Sequence, residues 1–286
     1  MSSGCLCVFW GCRALSGDLA FELSTRRLLE ALGLKLSDLK GQACCGEPIR
    51  SLSMKASCYM ALRLLALAAK EGHSELFVPC AKGYYMMTWS QELLVRSSEV
   101  REAVEKAFSS EGLELSALAR PLSLLDVLHG LIGPERITKA RERVLRWRVA
   151  LHPGCYLLRS GQAADVLDAL KALVRTAGLE APYYPGMIDC CGGTLEVTRP
   201  DAALTLAGAK LKAACEAGLK CLVVACPACF AILDGRQEDA LAAAGGGRPL
   251  PVLYLTQLLG LALGLGPEEL GLMLHRSPVE ELLQEL

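Results

Sequence analysis

Two Cys-Cys-Gly tripeptides, Cys44-Cys45-Gly46 and Cys190-Cys191-Gly192, stand at matching places in the two halves of this 286-residue chain. Thirty-four residues lie between Cys155 and Cys190, and thirty-four between Cys191 and Cys226, after which Cys229 completes a Cys-Pro-Ala-Cys. The first half keeps the plan, with thirty-one residues between Cys12 and Cys44 and thirty-four between Cys45 and Cys80. Gly83 stands where the second half has Cys229. The repeat also reaches the apolar framework, since residues 121–130 and 251–260 share a Pro-to-Gly run rich in leucine. These features divide the chain into a half spanning 1–133, a charge-rich connecting helix at 134–147, and a half spanning 148–286.

Apolar runs and helical periodicities alternate along each half. Residues 5–10, 75–78, 148–152 and 221–225 read as short buried strands. Residues 18–33, 51–72, 84–107, 162–178 and 201–218 read as helices by three- and four-residue spacing of leucine and alanine. Such alternation implies an α/β fold: two pseudo-repeated, Rossmann-like halves with mainly parallel sheets. Every cysteine group of the repeat then falls at the C-terminal end of a strand or in a nearby loop, where open α/β sheets place their sites.

Thiolates are soft ligands that select iron–sulfur clusters, zinc or copper(I). Zinc takes four ligands, commonly as two closely spaced pairs. The second half offers five cysteines, two of them adjacent, and adjacent residues have difficulty presenting both sulfurs to one compact tetrahedral ion. Five thiolates suit a cluster of several irons, with Gly154, Gly192 and Gly193 leaving room for it. Zinc binding and a disulfide staple are the competing readings. Cys5, Cys7, Cys58, Cys215 and Cys221 lie outside the repeat and read as small apolar residues.

Other classes are disfavoured. The formal net charge is −1 and only 5% of residues are aromatic, which gives nucleic acid neither a basic surface nor a stacking platform. No Gly-x-Gly-x-x-Gly or phosphate-loop lysine follows a strand. The apolar run at 252–266 is shorter than the roughly twenty residues a membrane span needs, and reads as a buried helix. The N-terminus has no basic residue ahead of its apolar run, so no secretory signal is expected and a cytoplasmic location is.

The spacing of the cysteines resembles that of the cysteine-rich CCG domain. A tandem pair over nearly the whole chain resembles the family of the heterodisulfide reductase B component, including its sulfur-oxidising branch. The resemblance implies a non-cubane [4Fe-4S] cluster on Cys155, Cys190, Cys191, Cys226 and Cys229. It implies an altered iron–sulfur cluster on Cys12, Cys44, Cys45 and Cys80, with zinc or an empty site as alternatives because Gly83 removes the fifth ligand. The implied activity is an oxidoreductase one, on thiols, disulfides or carrier-bound sulfur, with electrons exchanged through a ferredoxin-like C component and a flavoprotein A component. An electron-transfer subunit of a flavin- or quinone-linked dehydrogenase, without its own substrate, is the alternative.

Several single residues near the cysteines carry two readings each. His152, three residues before Cys155, is placed to give a proton to a leaving thiolate; a strand-end histidine bonded to backbone is the plainer reading. Asp189 either tunes the site or caps its loop. Lys82 reads as solvated, and Tyr84 and Tyr85 as packing residues.

Overall fold

The computed structural model describes residues 5–286, Leu15 by its backbone alone. Four strands, β1 (Cys5–Val8), β2 (Lys35–Asp38), β3 (Glu75–Phe77) and β4 (Arg120–Leu122), form a sheet in the order β2-β1-β3-β4. All its pairings are parallel. A second parallel sheet runs β5-β6-β7, from β5 (Val149–His152), β6 (Cys221–Val224) and β7 (Val252–Tyr254). The α/β fold with two parallel-sheet halves is therefore as the sequence implied.

β2 and β4 lacked a strand signature for physical reasons. β2 reads Lys-Leu-Ser-Asp and β4 Arg-Pro-Leu. Both are edge strands, where a polar side chain or a proline without an N–H is tolerated because one side of the ladder is unpaired. The helical stretch expected at 84–107 is two helices, Ala81–Arg96 and Ser98–Glu111. Ser97 adopts an extended backbone between them, and its hydroxyl accepts from the Val100 N–H. That cap satisfies a donor the helix start would otherwise leave open.

The apolar run at 252–266 is β7 followed by the short helix Leu255–Ala262, in which every residue is buried. Its uniform hydropathy follows from burial on all sides. Among the described residues no helix is long and apolar enough to cross a membrane. Of the connecting segment, Pro134–Ala140 is helical and the rest runs non-helically into β5.

The chain forms two compact units. One comprises residues up to 12 with 34–127, the other 13–33 with 128–286. Helix Leu19–Ala31 thus belongs to the second unit, although it follows β1 in sequence. Its buried face includes Phe21, Ser24 and Leu28, at three- and four-residue spacing. Phe21 meets the Tyr254 ring at 4.8 Å, and the Ser24 and Thr256 hydroxyls bond at 2.7 Å. A fully buried aromatic of this kind contributes about 1.5–3 kcal/mol. Within each unit the strand ends deliver cysteines: β1 leads to Cys12, β3 to Cys80, β5 to Cys155 and β6 to Cys226.

Candidate metal centre

In the second unit the five repeat cysteines meet. Sulfur-to-sulfur contacts link Cys155 to Cys190, Cys190 to Cys191, Cys191 to Cys229, and Cys229 to Cys226. Backbone N–H groups of Gly192 and Gly193 donate to the Cys190 and Cys191 sulfurs at 3.4 and 3.5 Å. Gly192 holds φ +83°, and a Cβ there would sit 2.5 Å from the Ala203 carbonyl oxygen. The tripeptide needs its glycine because the turn lies flat against helix Pro200–Glu216. Cys191, Cys226 and Cys229 are buried, whereas Cys155 and Cys190 are half-buried and form the accessible edge.

The crowding of the thiols perturbs their acidity. Cys155 is pushed far up, first by its bond to Cys190 and then by burial. Cys191 is pushed up to about 12, chiefly by its bond to Cys190. Cys190 is pulled far down because Cys155 and then Cys191 donate to it. Binding through all five sulfurs requires each thiol to lose its proton, and a cationic centre offsets the resulting charge. Five soft donors in one contact chain exceed the four that a single zinc ion takes and fit a cluster of several irons.

His152 is 1% exposed, and its Nε2 lies 3.3 Å from the Cys229 sulfur. Its Nε2 or Nδ1 and the Cys191 and Cys229 sulfurs come within 4.8 Å of one another. Burial, then the nearby Lys210, pushes its pKa down to about 3, so the ring is neutral. Nδ1 lacks a hydrogen-bond partner. Asp189 closes a turn, its N–H donating to the Gly186 carbonyl at 3.1 Å.

The first unit builds a related group. Cys12 contacts Cys44, and Cys44 contacts Cys45. The Gly46 N–H donates to the Cys44 sulfur at 3.4 Å, and Gly46 (φ +81°) would place a Cβ 2.6 Å from the Ser57 carbonyl oxygen. Cys80 occupies the residue before helix Ala81–Arg96, without a side-chain capping bond; a Cβ on Gly11 would lie 3.7 Å from the Cys80 Cβ. Cys12 is raised by its bond to Cys44 and then by burial, while Cys45 is lowered by the bond from Cys44. At the missing fifth corner, a Cβ on Gly83 would meet Val78 Cγ1 at 3.2 Å and Phe9 Cε1 at 3.6 Å. Val78 and Phe9 crowd that corner, with the Cys45 Cβ next at 4.0 Å.

Some expectations for single residues need correction. Lys82 is not simply solvated: it pairs with Glu47 at 3.0 Å, with only 20% of its side chain exposed. Cys58 and Cys221 are buried as small apolar residues, Cys215 is half-buried and Cys5 is exposed. Cys7 is buried, but its sulfur also lies within 4.8 Å of ligand atoms of Glu71 and His73. Tyr84 is raised to about 12 by burial and then by Asp126, and Tyr85 lies under the Arg50 guanidinium at 5.9 Å.

The cysteine-rich domain (CCG) family matches residues 6–88 and 149–234. The chain belongs to that family. Both matched segments carry one Cys-Cys-Gly turn and end beyond a Cys-x-x-Cys or Cys-x-x-Gly. Over nearly its full length the chain is similar to the B component of Ferredoxin:CoB-CoM heterodisulfide reductase from Methanosarcina mazei, with 28% identity across 93% of this chain and 92% of the relative. It is also similar to the 8-methylmenaquinol:fumarate reductase membrane anchor subunit of Wolinella succinogenes, with 26% identity across 92% and 94%. The fold matches a hypothetical protein from Helicobacter pylori with a TM-score of 0.72 at 18% identity, covering 96% of this chain and 52% of that one. This CCG protein thus spans about half the length of that neighbour, and the likeness concerns fold alone.

One residue beside the second cysteine group had no sequence signal. Lys210 lies on the buried face of helix Pro200–Glu216 with Ala203, Ala207 and Leu211, and is 2% exposed. Alanine and leucine spacing marked that face as core, so a lysine there reads as an interruption rather than a site.

Proposed function

We propose that this chain is an iron–sulfur redox subunit of a multi-subunit oxidoreductase. Its second half would hold a non-cubane [4Fe-4S] cluster on Cys155, Cys190, Cys191, Cys226 and Cys229, acting on thiol, disulfide or carrier-bound sulfur. Its first half would hold an altered cluster, or zinc, on Cys12, Cys44, Cys45 and Cys80. The observation that carries the reading is the five-sulfur contact chain with buried His152 against Cys229. The names of two relatives support it, since both are subunits of reductases, one of them for a heterodisulfide.

When bound, the cluster would supply one-electron steps and a soft Lewis-acidic face for sulfur. The chain's own residues do the rest. Gly192 and Gly193 N–H groups offset charge on Cys190 and Cys191, and their missing side chains let the turn lie against the Ala203 and Ala228 carbonyls. Cys155 and Cys190 lie on the accessible side, so a sulfur substrate or partner approaches there. Neutral His152 holds the Cys229 sulfur through Nε2 at 3.3 Å. No flavin or nicotinamide motif is present, so electrons would pass through partners, a ferredoxin-like C component and a flavoprotein A component.

An electron-transfer subunit without its own substrate is the second reading, favoured by the likeness to the fumarate reductase subunit. The test is iron, acid-labile sulfide and zinc content on anaerobically purified protein, then EPR after thiol treatment of the oxidised sample. Iron with a thiol-sensitive signal is the expected result. Iron with a thiol-insensitive signal favours the second reading, and zinc without iron from a cluster-competent host would overturn both.

A further inference from the structure

Lys210 is the least expected side chain in the second unit. Its Nζ donates to the Gly186 carbonyl, and to the Met187 carbonyl at 3.3 Å. Those two residues begin the turn that leads through Asp189 into Cys190. Nζ also lies 5.9 Å from the centre of the Tyr184 ring, within reach of a cation–π contact. Among the described residues no carboxylate comes within ion-pair distance of it. A buried ammonium without a counter-ion is strongly unfavourable, and two carbonyls compensate only in part. Burial disfavours its charge first of all, and the acidic groups that favour it when ionised are Cys191, Asp189, Cys229 and Cys190, in that order. Three of these four are repeat cysteines.

The first unit provides a control. The carbonyl that crowds Gly46 belongs to Ser57, and the one that crowds Gly192 belongs to Ala203, so these two positions correspond. Seven residues further along each helix stand Leu64 and Lys210, both buried. The fold therefore accepts a leucine here, and the lysine is not required by helix packing. Near the first cysteine group the cation is Lys82, which is already paired with Glu47.

We propose that Lys210 is a positioning residue for the second cluster: it ties down the turn before Cys190 and supplies a fixed buried positive charge that stabilises the cluster's reduced state. The proposal rests on the iron–sulfur reading above. A fixed cation lowers the energy of the more negative state, so its removal makes reduction harder. The ammonium's two carbonyl bonds tie that charge to the geometry of the turn.

The test is an EPR-monitored redox titration of the full chain, loaded with iron, comparing wild type with Lys210→Gln and Lys210→Arg. Glutamine keeps an N–H donor without the charge, and arginine keeps the charge. The expected result is full iron in Lys210→Gln with at least a tenfold fall in the ratio of reduced to oxidised second cluster at fixed solution potential, about 59 mV for one electron. Lys210→Arg should stay near wild type. Iron lost in Lys210→Gln but kept in Lys210→Arg also supports a charge requirement. A fully loaded Lys210→Gln at unchanged potential would overturn the proposal, as would loss of iron in both variants, which marks a packing role. Wild-type protein without iron in the second half would instead remove the reading on which the proposal stands.

Discussion

The two cysteine groups share a backbone plan and differ in what surrounds it. Both use a left-handed glycine pressed against a helix carbonyl, at 2.6 Å for Gly46 and 2.5 Å for Gly192. Both leave two cysteines on an accessible edge, Cys12 with Cys44 and Cys155 with Cys190, and bury the others. At the fifth corner they part. The second unit sets His152 against Cys229 and adds Lys210 behind the turn. The first unit has Phe9, Gly83 and Leu64 at the corresponding places. Three polar groups have three apolar counterparts, so the missing ligand is one part of a wall rebuilt in hydrocarbon. A single cysteine does not undo such a change, because the neighbours have already taken its volume.

The largest effect is expected from removing one buried cysteine from each group. Cys191→Ala is expected to strip iron from the second half and leave the first half's metal in place. Cys45→Ala should do the reverse. Iron, sulfide and zinc analysis reads both, and loss of all metal from either single variant would show that the halves do not load independently.

The shared plan is tested next. Gly46→Ala and Gly192→Ala should each destabilise the protein by roughly 2–4 kcal/mol, from overpacking plus a left-handed backbone. Denaturant unfolding of the two variants should give similar losses. A mild effect in one of them would mean that the turns are not equivalent.

Gly83→Cys addresses the rebuilt wall. Its Cβ meets Val78 and Phe9 at 3.2 and 3.6 Å, so a loss of about 1–3 kcal/mol and no added iron are expected. Extra iron, or a non-cubane signal from the first half, would show that Val78 yields readily.

The smallest effect separates the units by pH. His152 is held neutral, with a folded pKa of about 3 against 6.5 for a free imidazole, by burial and then by Lys210. His275 is also lowered, chiefly by burial. The unfolded chain then binds more protons than the folded one between pH 6.5 and about 3, so stability falls as pH drops through that window and is unaffected above it. For His152 alone, about 1 kcal/mol is lost between pH 6.5 and 5.5. Among the described residues the first unit has no fully buried histidine. Hydrogen exchange of the metal-free protein at pH 5.5 should therefore rise first in the second unit, and earlier exchange in the first would contradict this account.

Much of this could be read directly from residues. The strand and helix alternation, the cysteine spacing and the offset between the halves are local patterns, and local patterns survive in one dimension. Helix Pro200–Glu216 shows where reading stopped: its alanines and leucines identified a buried face, but the role of the lysine among them depends on carbonyls from a turn some twenty residues away in sequence. Edge strands β2 and β4 were illegible for another reason, since an edge position relaxes the demand for apolar, N–H-bearing residues.

The sequence by itself determined a duplicated parallel α/β chain, its membership of a cysteine-rich family, and which nine cysteines stand at strand ends or in the nearby loops. Tertiary structure alone decided that helix Leu19–Ala31 packs on Leu255–Ala262, that Phe9 fills the corner facing Gly83, and that Lys210 sits under the second group of cysteines. Spacing fixes where along the chain a side chain falls. Which neighbours share its volume and its charge is settled only when distant segments pack, because burial and electrostatic energy depend on distance in space rather than on separation in sequence.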